Sequence, residues 1–249
     1  MKGWINGIGW VTAAGCNCGR GAIQQPLRSG NLEIPKRKQV FDKPDMRFGR
    51  LDEFSRIGLA AITFCLRDAG EEAWSAKRPI GIVTASHYGC LQTDIAYLQS
   101  MLPDHGKLAS PNLFAYTLPN SFLGEAALRF GLAGITLVLN RQDAGGLVPL
   151  RYALEELVWG EPQAMLAGIC DLAPLPEFSR GDHSPGSLFF LLGREPSAVL
   201  PGYGELELQG DELFFSGRAV DSITSLVTAC LREKNSKTET RHPGSTDQI

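Results

Sequence analysis

The sequence predicts one α/β domain in which helices flank a β-sheet. Segments rich in β-branched and aliphatic residues alternate along the chain with segments whose apolar residues recur at helical spacing. Strands that alternate with helices in this way are typical of a layered sheet with helices packed on it. The chain has 249 residues, of which 43% are hydrophobic and 20% are charged, enough for one well-packed core.

The first third of the chain predicts a strand, a surface segment and a long helix. Residues 3–13 alternate and carry β-branched side chains, which indicates a strand, and residues 15–29 predict a loop with a short helix. Residues 30–50 are rich in charge and proline and predict an excursion across the surface. From Asp52 the apolar residues recur at helical spacing until Gly70, which is suited to end a helix.

The remainder of the chain continues the alternation of strands and helices. The run at residues 79–86 is apolar throughout, which is typical of a buried strand. Further strands are predicted at residues 135–140, 163–169, 187–192 and 204–208, and further helices at residues 91–101, 120–130, 147–158 and 221–232. The segment 233–249 is polar and predicts a disordered tail, so the folded domain is expected to cover residues 1–232.

Charge and composition argue against several classes of protein. The net charge of −3 and the lack of a basic run give no reason to expect nucleic-acid binding. No apolar stretch approaches the roughly 18 residues that span a bilayer, and the N-terminus does not resemble a signal peptide, so a cytoplasmic location is expected. Cys16 and Cys18 form a C-x-C pair without a second pair or a nearby histidine, and a turn is favoured there over a zinc site. We expect no metal and no cofactor.

Several segments occur in one order that resembles β-ketoacyl synthases, members of the thiolase superfamily. They are GIGWVTAAG at residues 7–15, RLDEFSR at 50–56, IGIVT at 80–84, PNLFAYTLPN at 111–120, FGLAG at 130–134, and the strand that ends in AG at 167–168. Each segment alone is weakly specific, and their shared order carries the resemblance. It implies a thiolase-like layered fold of which this chain is the N-terminal half, with the C-terminal half truncated.

In that family the nucleophile is a cysteine at a sharp turn between a strand and a helix, where the helix N-terminus favours the thiolate. Counting from Gly134 without a gap places Asp143 at the cysteine position, and the same count reaches Gly160 at the expected end of the helix. A carboxylate can attack an acyl group, but the anhydride formed would be too labile to carry a growing chain. The alternative role for Asp143 is that of a helix N-cap, with residues 144–146 in the first turn.

The family also uses two histidines from its C-terminal half. The four histidines here are His87, His105, His183 and His242, and none lies in those motifs. Only His87, after the strand at 79–86, is expected near a cleft. A cysteine–histidine–histidine arrangement therefore cannot be built from this chain, and no catalytic residue is predicted.

Within the family, the resemblance is to the chain length factor, a subunit of type II polyketide systems that lacks the cysteine; the short form resembles the subunit of aryl polyene systems. It implies a heterodimer with a full-length β-ketoacyl synthase, which an acyl carrier protein serves indirectly. The resemblance places two sets of residues against that partner. The wall of its acyl tunnel is expected to include Leu113, Phe114, Thr117 and Phe122, with packing in the core as the equal alternative for each. The pairing strand is expected to be Ile135, Thr136, Leu137, Val138, Leu139 and Asn140.

Three other functions stay open at this stage. A register error of one residue would place Gln142 at the nucleophile position, as in ketosynthase-like domains that decarboxylate malonyl carriers to supply starter units. Asp143 and His87 could form a carboxylate-based hydrolase, although nothing in the sequence fixes their geometry. The third is a scaffold subunit whose pocket is closed.

Overall fold

The computed structural model describes residues 1–21, 30–141, 143, 145–173, 175 and 184–239, except the side chains of Asp104 and residues 236–239. This part of the chain forms one mixed sheet of nine strands. The strands are β1 (Lys2–Thr12), β2 (Gly15–Cys18), β3 (Ile80–Ser86), β4 (Thr136–Asn140), β5 (Ala164–Asp171), β6 (Gly186–Gly193), β7 (Gly204–Gln209), β8 (Glu212–Phe215) and β9 (Arg218–Val220).

The helices lie on the two faces of this sheet. They are α1 (Arg37–Val40), α2 (Glu53–Ala69), α3 (Leu91–Met101), α4 (Pro111–Phe114), α5 (Ser121–Phe130), α6 (Val148–Trp159) and α7 (Ile223–Glu239). Buried residues form two clusters, one beneath α2 and α5 and the other beneath α6 and α7. The expected α/β architecture, a mixed sheet flanked by helices, is confirmed.

The order of the strands is β4-β3-β5-β6-β1-β7-β8-β9, and β2 pairs with β1 outside this path. Strand β3 is parallel to β4 and to β5, whereas the pairs β5–β6, β1–β6 and β1–β7 are antiparallel. Because parallel strands end at the same edge of a sheet, the carboxyl ends of β3, β4 and β5 lie side by side.

Helix α2 approaches β1 so closely that two positions in the strand require glycine. A Cβ atom at Gly7 would lie 2.5 Å from the backbone oxygen of Cys65, and one at Gly9 would lie 2.5 Å from the backbone oxygen of Ala61. Such distances overlap backbone atoms of the helix, which cannot move aside as a side chain can. The sequence therefore fixes the helix against the middle of the sheet.

The buried carboxylate of Asp68, near the end of α2, joins the helix to other parts of the chain. Its Oδ2 accepts hydrogen bonds from the backbone N–H of Ile8 at 2.9 Å and from the hydroxyl of Tyr203 at 2.7 Å. Its Oδ1 accepts from the backbone N–H of Arg20 at 2.7 Å. Burial and the neighbouring Asp68 raise the pKa of Tyr203, so this hydroxyl keeps its proton and remains a donor.

Helix α5 packs on α2 through Phe122, which is fully buried. Its ring fills the space left by the missing side chain of Gly58 and meets Phe54 edge-on, with ring centroids 5.4 Å apart. Phe122 also packs edge-on against Phe189 of β6, with ring centroids 6.4 Å apart. Of the two roles considered for Phe122, the structure shows core packing, and the expectation that it faces a partner's tunnel is corrected.

Other expectations need correction at short or polar segments. Residues 15–18 form β2, which pairs with β1, instead of the expected loop, and Gly15 adopts a left-handed φ of 100° at the turn. Strands β8 and β9 and the one-turn helix α1 were not expected. Helix α7 continues to Glu239, beyond the expected boundary at residue 232, and Lys234 holds it by donating from Nζ to the carbonyl oxygens of Gly19 and Arg20. The rest of the predicted tail, 240–249, lies outside the described residues.

In the described part of the chain, every helix is too short or too polar to cross a membrane.

Candidate functional site

Polar side chains gather where the three parallel strands end. Ser86 and Asp171 are the last residues of β3 and β5, and Arg141 directly follows β4. The carboxyl ends of parallel strands are the usual place for sites in open α/β sheets. These three residues were not identified from the sequence, although their positions at the ends of predicted strands could have indicated them.

Asp171 is the centre of this group. Its Oδ1 accepts hydrogen bonds from the hydroxyl of Ser86 at 2.7 Å and from the backbone N–H groups of His87 at 2.8 Å and Tyr88 at 3.2 Å. The oxygen of Ser86 in turn accepts from the backbone N–H of Gly89 at 2.7 Å. Burial raises the pKa of Asp171, while the hydrogen bonds from Ser86 and the two backbone amides oppose that rise.

Arg141 connects β4 to the same group. Its backbone N–H donates to the carbonyl oxygen of Ser86 at 2.8 Å, which continues the pairing of β3 with β4 by one residue. Its Nη1 lies 3.9 Å from Oδ2 of Asp171, and both side chains are largely buried. The three strand ends are therefore joined by backbone and side-chain contacts at once.

Asp143 lies in the turn between β4 and α6, as the register count predicts. Its Oδ2 accepts a hydrogen bond from the backbone N–H of Leu147 at 2.8 Å. Helix α6 begins at Val148 with Leu147 as its N-cap, so Asp143 is not the N-cap and residues 144–146 are not its first turn. Oδ1 is buried and has no hydrogen-bond partner among the described residues. One oxygen of the carboxylate therefore has a hydrogen-bond donor among the described residues, the backbone N–H just before the helix, and the other oxygen has none.

Two glycines shape the turn that carries Asp143. Gly146 has a left-handed φ of 70°, which an L-residue rarely adopts. A Cβ atom at Gly145 would lie 2.5 Å from the backbone oxygen of Asp221, and the carbonyl oxygen of Gly145 accepts from the backbone N–H of Ile223 at 2.8 Å. The turn is therefore covered by the start of α7.

The described contacts do not assemble a nucleophile with a base. His87 binds Asp171 through its backbone, and its ring lies 6.1 Å from that of Tyr88, whereas Asp143 contacts Leu147. His105 lies in a short 3-10 turn after α3. His183, His242 and Gln142 lie outside the described residues, so the structure does not test the decarboxylase alternative at Gln142.

Five of the cysteines are held as thiols rather than thiolates: Cys16, Cys18, Cys65, Cys90 and Cys170. Burial is the main reason that the pKa of Cys16 is raised to about 11 and that of Cys90 to about 12. Burial also raises the pKa of Cys65 and of Cys170. A protonated thiol is a poor nucleophile. Among the described residues no three side chains of histidine, cysteine, aspartate or glutamate are grouped so that they could hold a metal ion.

The predicted tunnel-wall segment forms an apolar surface with α3. Phe114 is 62% exposed, and its ring lies 5.4 Å from that of Tyr97. Leu113 and Thr117 are partly exposed beside it. Three leucines close in sequence to α3 and α4 are also exposed: Leu98, Leu102 and Leu118. An apolar surface of this kind is typical of a contact with another molecule.

Strand β4 lies at one end of the sheet and pairs only with β3 among the described strands. The carbonyl oxygen of Ile135 accepts a hydrogen bond from the backbone N–H of Ile82, and the backbone N–H of Arg141 donates to the carbonyl oxygen of Ser86. The odd-numbered residues of this segment therefore direct their backbone groups toward β3. Since the two sides alternate along a strand, the backbone groups of Thr136, Val138 and Asn140 point away from β3. The predicted pairing strand thus has an open edge.

The sequence model of the β-ketoacyl synthase N-terminal domain matches residues 34–181. A curated relative, 3-oxoacyl-(acyl-carrier-protein) synthase 2 of Vibrio cholerae, is 28% identical over 141 residues, which are 56% of this chain and 33% of the relative. The match spans between 33% and 38% of the length of the curated relatives.

Two solved structures show the same fold at low identity. The ishigamide ketosynthase/chain length factor aligns with a TM-score of 0.62 and 17% identity over 83% of this chain and 66% of that one. The ketosynthase ApeO in complex with its chain length factor ApeC, from Xenorhabdus doucetiae, aligns with a TM-score of 0.55 and 17% identity over 81% of this chain and 87% of that one. The thiolase-like fold is therefore confirmed.

The hydrogen bonds to Asp171 lead to a test by substitution. Asp171→Ala removes the acceptor of one buried and two partly buried donors and should lower the free energy of unfolding by about 3–5 kcal/mol, whereas Asp171→Asn retains an acceptor oxygen and should cost less. Because the folded pKa of Asp171 is raised, its stabilising contribution is complete below the ordinary value of about 3.9 and is lost as pH rises through the folded pKa. Thermal unfolding between pH 4 and pH 7 should therefore show a smaller loss of stability for Asp171→Asn than for the wild type. An equal loss in both proteins would contradict this role.

Proposed function

Because this chain belongs to the β-ketoacyl synthase N-terminal domain family, we propose that it acts as a non-catalytic, ketosynthase-like subunit. In this proposal it is a chain length factor that pairs with an intact β-ketoacyl synthase and shapes the acyl tunnel of that partner. The observation that supports it most strongly is the carboxylate of Asp143 in the turn between β4 and α6, the position to which the count along the sequence assigns the family's cysteine.

The chemistry of the turn favours a role without covalent catalysis. An acyl group on a carboxylate is an anhydride, which water would hydrolyse before a chain could be extended. The Oδ2 atom of Asp143 is already occupied by the amide of Leu147, and the turn is fixed against α7 through Gly145. The hydrogen bond from the backbone N–H of Leu147 to Asp143 stabilises the turn, so a structural role is sufficient to explain this carboxylate. The condensation would then take place on the partner's cysteine, to which the acyl carrier protein delivers the chain.

Two surfaces support pairing with a partner. The backbone groups of Thr136, Val138 and Asn140 at the open edge of β4 have no partner among the described residues, and an unpaired edge is an aggregation hazard unless another chain covers it. The apolar surface around Phe114 would lie against the same partner, where bulky side chains would limit the volume of its tunnel. One methylene in such a pocket is worth roughly 1–3 kcal/mol, which is enough to set product length.

The comparison with the ApeO–ApeC complex agrees with this proposal. The alignment covers 81% of this chain and 87% of the matched chain, so the two are of similar length. Because the two chains are only 17% identical, the alignment supports a shared fold and nothing more specific. An aryl polyene product is the narrower form of the proposal, and it depends on what the intact partner synthesises.

Acyl transfer is the first step at which the proposed function can be tested. In a reconstituted complex with an intact ketosynthase, intact-mass spectrometry should find the acyl adduct on the partner and none on this chain. Asp143→Asn keeps an oxygen that accepts from Leu147 and should leave the rate of product formation within about twofold. An adduct on this chain, or an intact complex that Asp143→Asn inactivates, would contradict the proposal.

The second prediction concerns β4. Val138→Pro removes an amide that points to the open edge, and proline is tolerated at such a position. Copurification with the ketosynthase should be lost while the circular dichroism spectrum and melting temperature change little. Leu139→Pro is the contrasting variant, since it removes an amide that bonds to β3 and should destabilise the fold itself. If Val138→Pro copurifies as well as the wild type, the edge is not the interface.

The third prediction concerns product length. Phe114→Ala opens space at the exposed apolar surface, and longer products should appear while the amount of complex is unchanged. Val199→Ala, an exposed apolar position near Gly70, serves as the control and should leave the products unaltered. Phe122→Ala should instead lower stability by about 3–5 kcal/mol, because it leaves a cavity in the core. An intact Phe114→Ala complex with an unchanged distribution of products would show that this segment does not limit chain length.

A further inference from the structure

A cavity of about 530 Å³ lies between the β8–β9 hairpin and α7, far along the sheet from β4. Buried Phe215 and Val220 belong to its lining, together with Ala219 and Ala229. The volume falls within the range of small-molecule sites, roughly 300–1,000 Å³. The lining is apolar on one side, and two arginines, Arg218 and Arg232, complete it.

Among the described residues, these two arginines differ from most others in that their side chains have no partner. In the described part of the chain, Arg218 and Arg232 make no hydrogen bond and no ion pair through their side chains. By contrast, Arg67 binds Glu72 at 2.7 Å, and Arg78 binds Glu71 at 2.8 Å. A guanidinium group presents five donors in a planar fork, which suits carboxylate and phosphate oxygens. Two such groups at one cavity have their donors available for a ligand.

The other polar groups of the lining do not offset the arginines. The hydroxyls of Ser225 and Thr228 donate to backbone carbonyl oxygens about one turn earlier, those of Ser222 at 2.8 Å and Thr224 at 2.9 Å. Glu233 contributes one negative charge, so the charged side chains of the lining sum to one positive charge. Lys234 is held on the carbonyls of Gly19 and Arg20 and does not belong to the lining.

We propose that this cavity binds an organic phosphate, with the phosphoryl group on Arg218 and Arg232 and an apolar body on Phe215 and Val220. A phosphate monoester carries nearly two negative charges at pH 7 and three acceptor oxygens, which match two guanidinium groups. The apolar side of the cavity selects an ester with a hydrocarbon or aromatic group over inorganic phosphate. The lining shares no residue with β4 or with the turn of Asp143, although the start of α7 also covers that turn, and the inference does not depend on the proposed function.

Phenyl phosphate is a suitable probe, and isothermal titration calorimetry of the full chain, in the assembly in which it is purified, measures its binding. Arg218→Gln and Arg232→Gln should each weaken binding about tenfold, which is the loss of one charge-assisted interaction. Lys38→Gln removes one exposed positive charge from α1 and should leave the affinity unchanged. Binding should also weaken as salt concentration rises. Ala219→Trp, at an exposed position of the lining, keeps both arginines and should block the cavity.

The outcomes separate this site from a simpler role for the arginines. Arg218 lies on the edge strand β9, where a charge alone would discourage pairing with another chain. No binding of phenyl phosphate at millimolar concentration would favour that role and overturn the proposal, as would binding that neither arginine variant weakens. Equal affinity for inorganic phosphate and phenyl phosphate would refute the contribution of the apolar side. Melting temperatures of all variants close to that of the wild type are the control for folding.

Discussion

The contact between α2 and β1 is the constraint on which the rest of the structure depends. Gly7 and Gly9 allow backbone to meet backbone, and Asp68 then bonds the helix to Ile8 of the same strand. Strand β1 pairs with β2, β6 and β7, so the position of α2 is transmitted to both halves of the sheet. Helix α5 is located by α2 in turn, through Phe122 against Gly58. Layers packed at this density tolerate little displacement, which is how three strand ends come to meet at Asp171.

Much of the architecture can be predicted from the sequence because its long elements have a clear period. The helix at 52–69 and the buried strand at 79–86 were predicted within a residue of their bounds. The elements that the sequence did not predict are short or polar. Strands β8 and β9 have four and three residues, too few for alternation to be visible. The end of α7 is polar, and its helical state depends on Lys234 and its contacts with residues distant in sequence, which periodicity does not report.

The candidate site was predicted in part, for physical reasons that differ between residues. Counting along the chain predicts Asp143 between a strand and a helix, and it lies in the turn between β4 and α6, whose bounds are within a residue of those predicted from their apolar residues. Its bond to Leu147 depends on where the helix begins, and the local sequence suggested an earlier start. For Phe122 the sequence leaves a tunnel wall and core packing as equal alternatives. Core packing depends on the space at Gly58, which lies 64 positions earlier in the sequence and which local pattern does not reveal. Asp171 was missed because its partners come from a different strand.

The two ends of the sheet are unequal, and this bears on how large an assembly can grow. One end is β4, five residues with outward amides and aliphatic side chains; the other is β9, three residues that begin with an exposed arginine. A sheet with two adhesive edges adds subunits without limit and forms fibres. A sheet with one such edge is capped as soon as that edge is taken. If β4 pairs with another chain as proposed, joining through the ends of the described sheet would stop at a pair, because β9 is shorter and carries an exposed arginine.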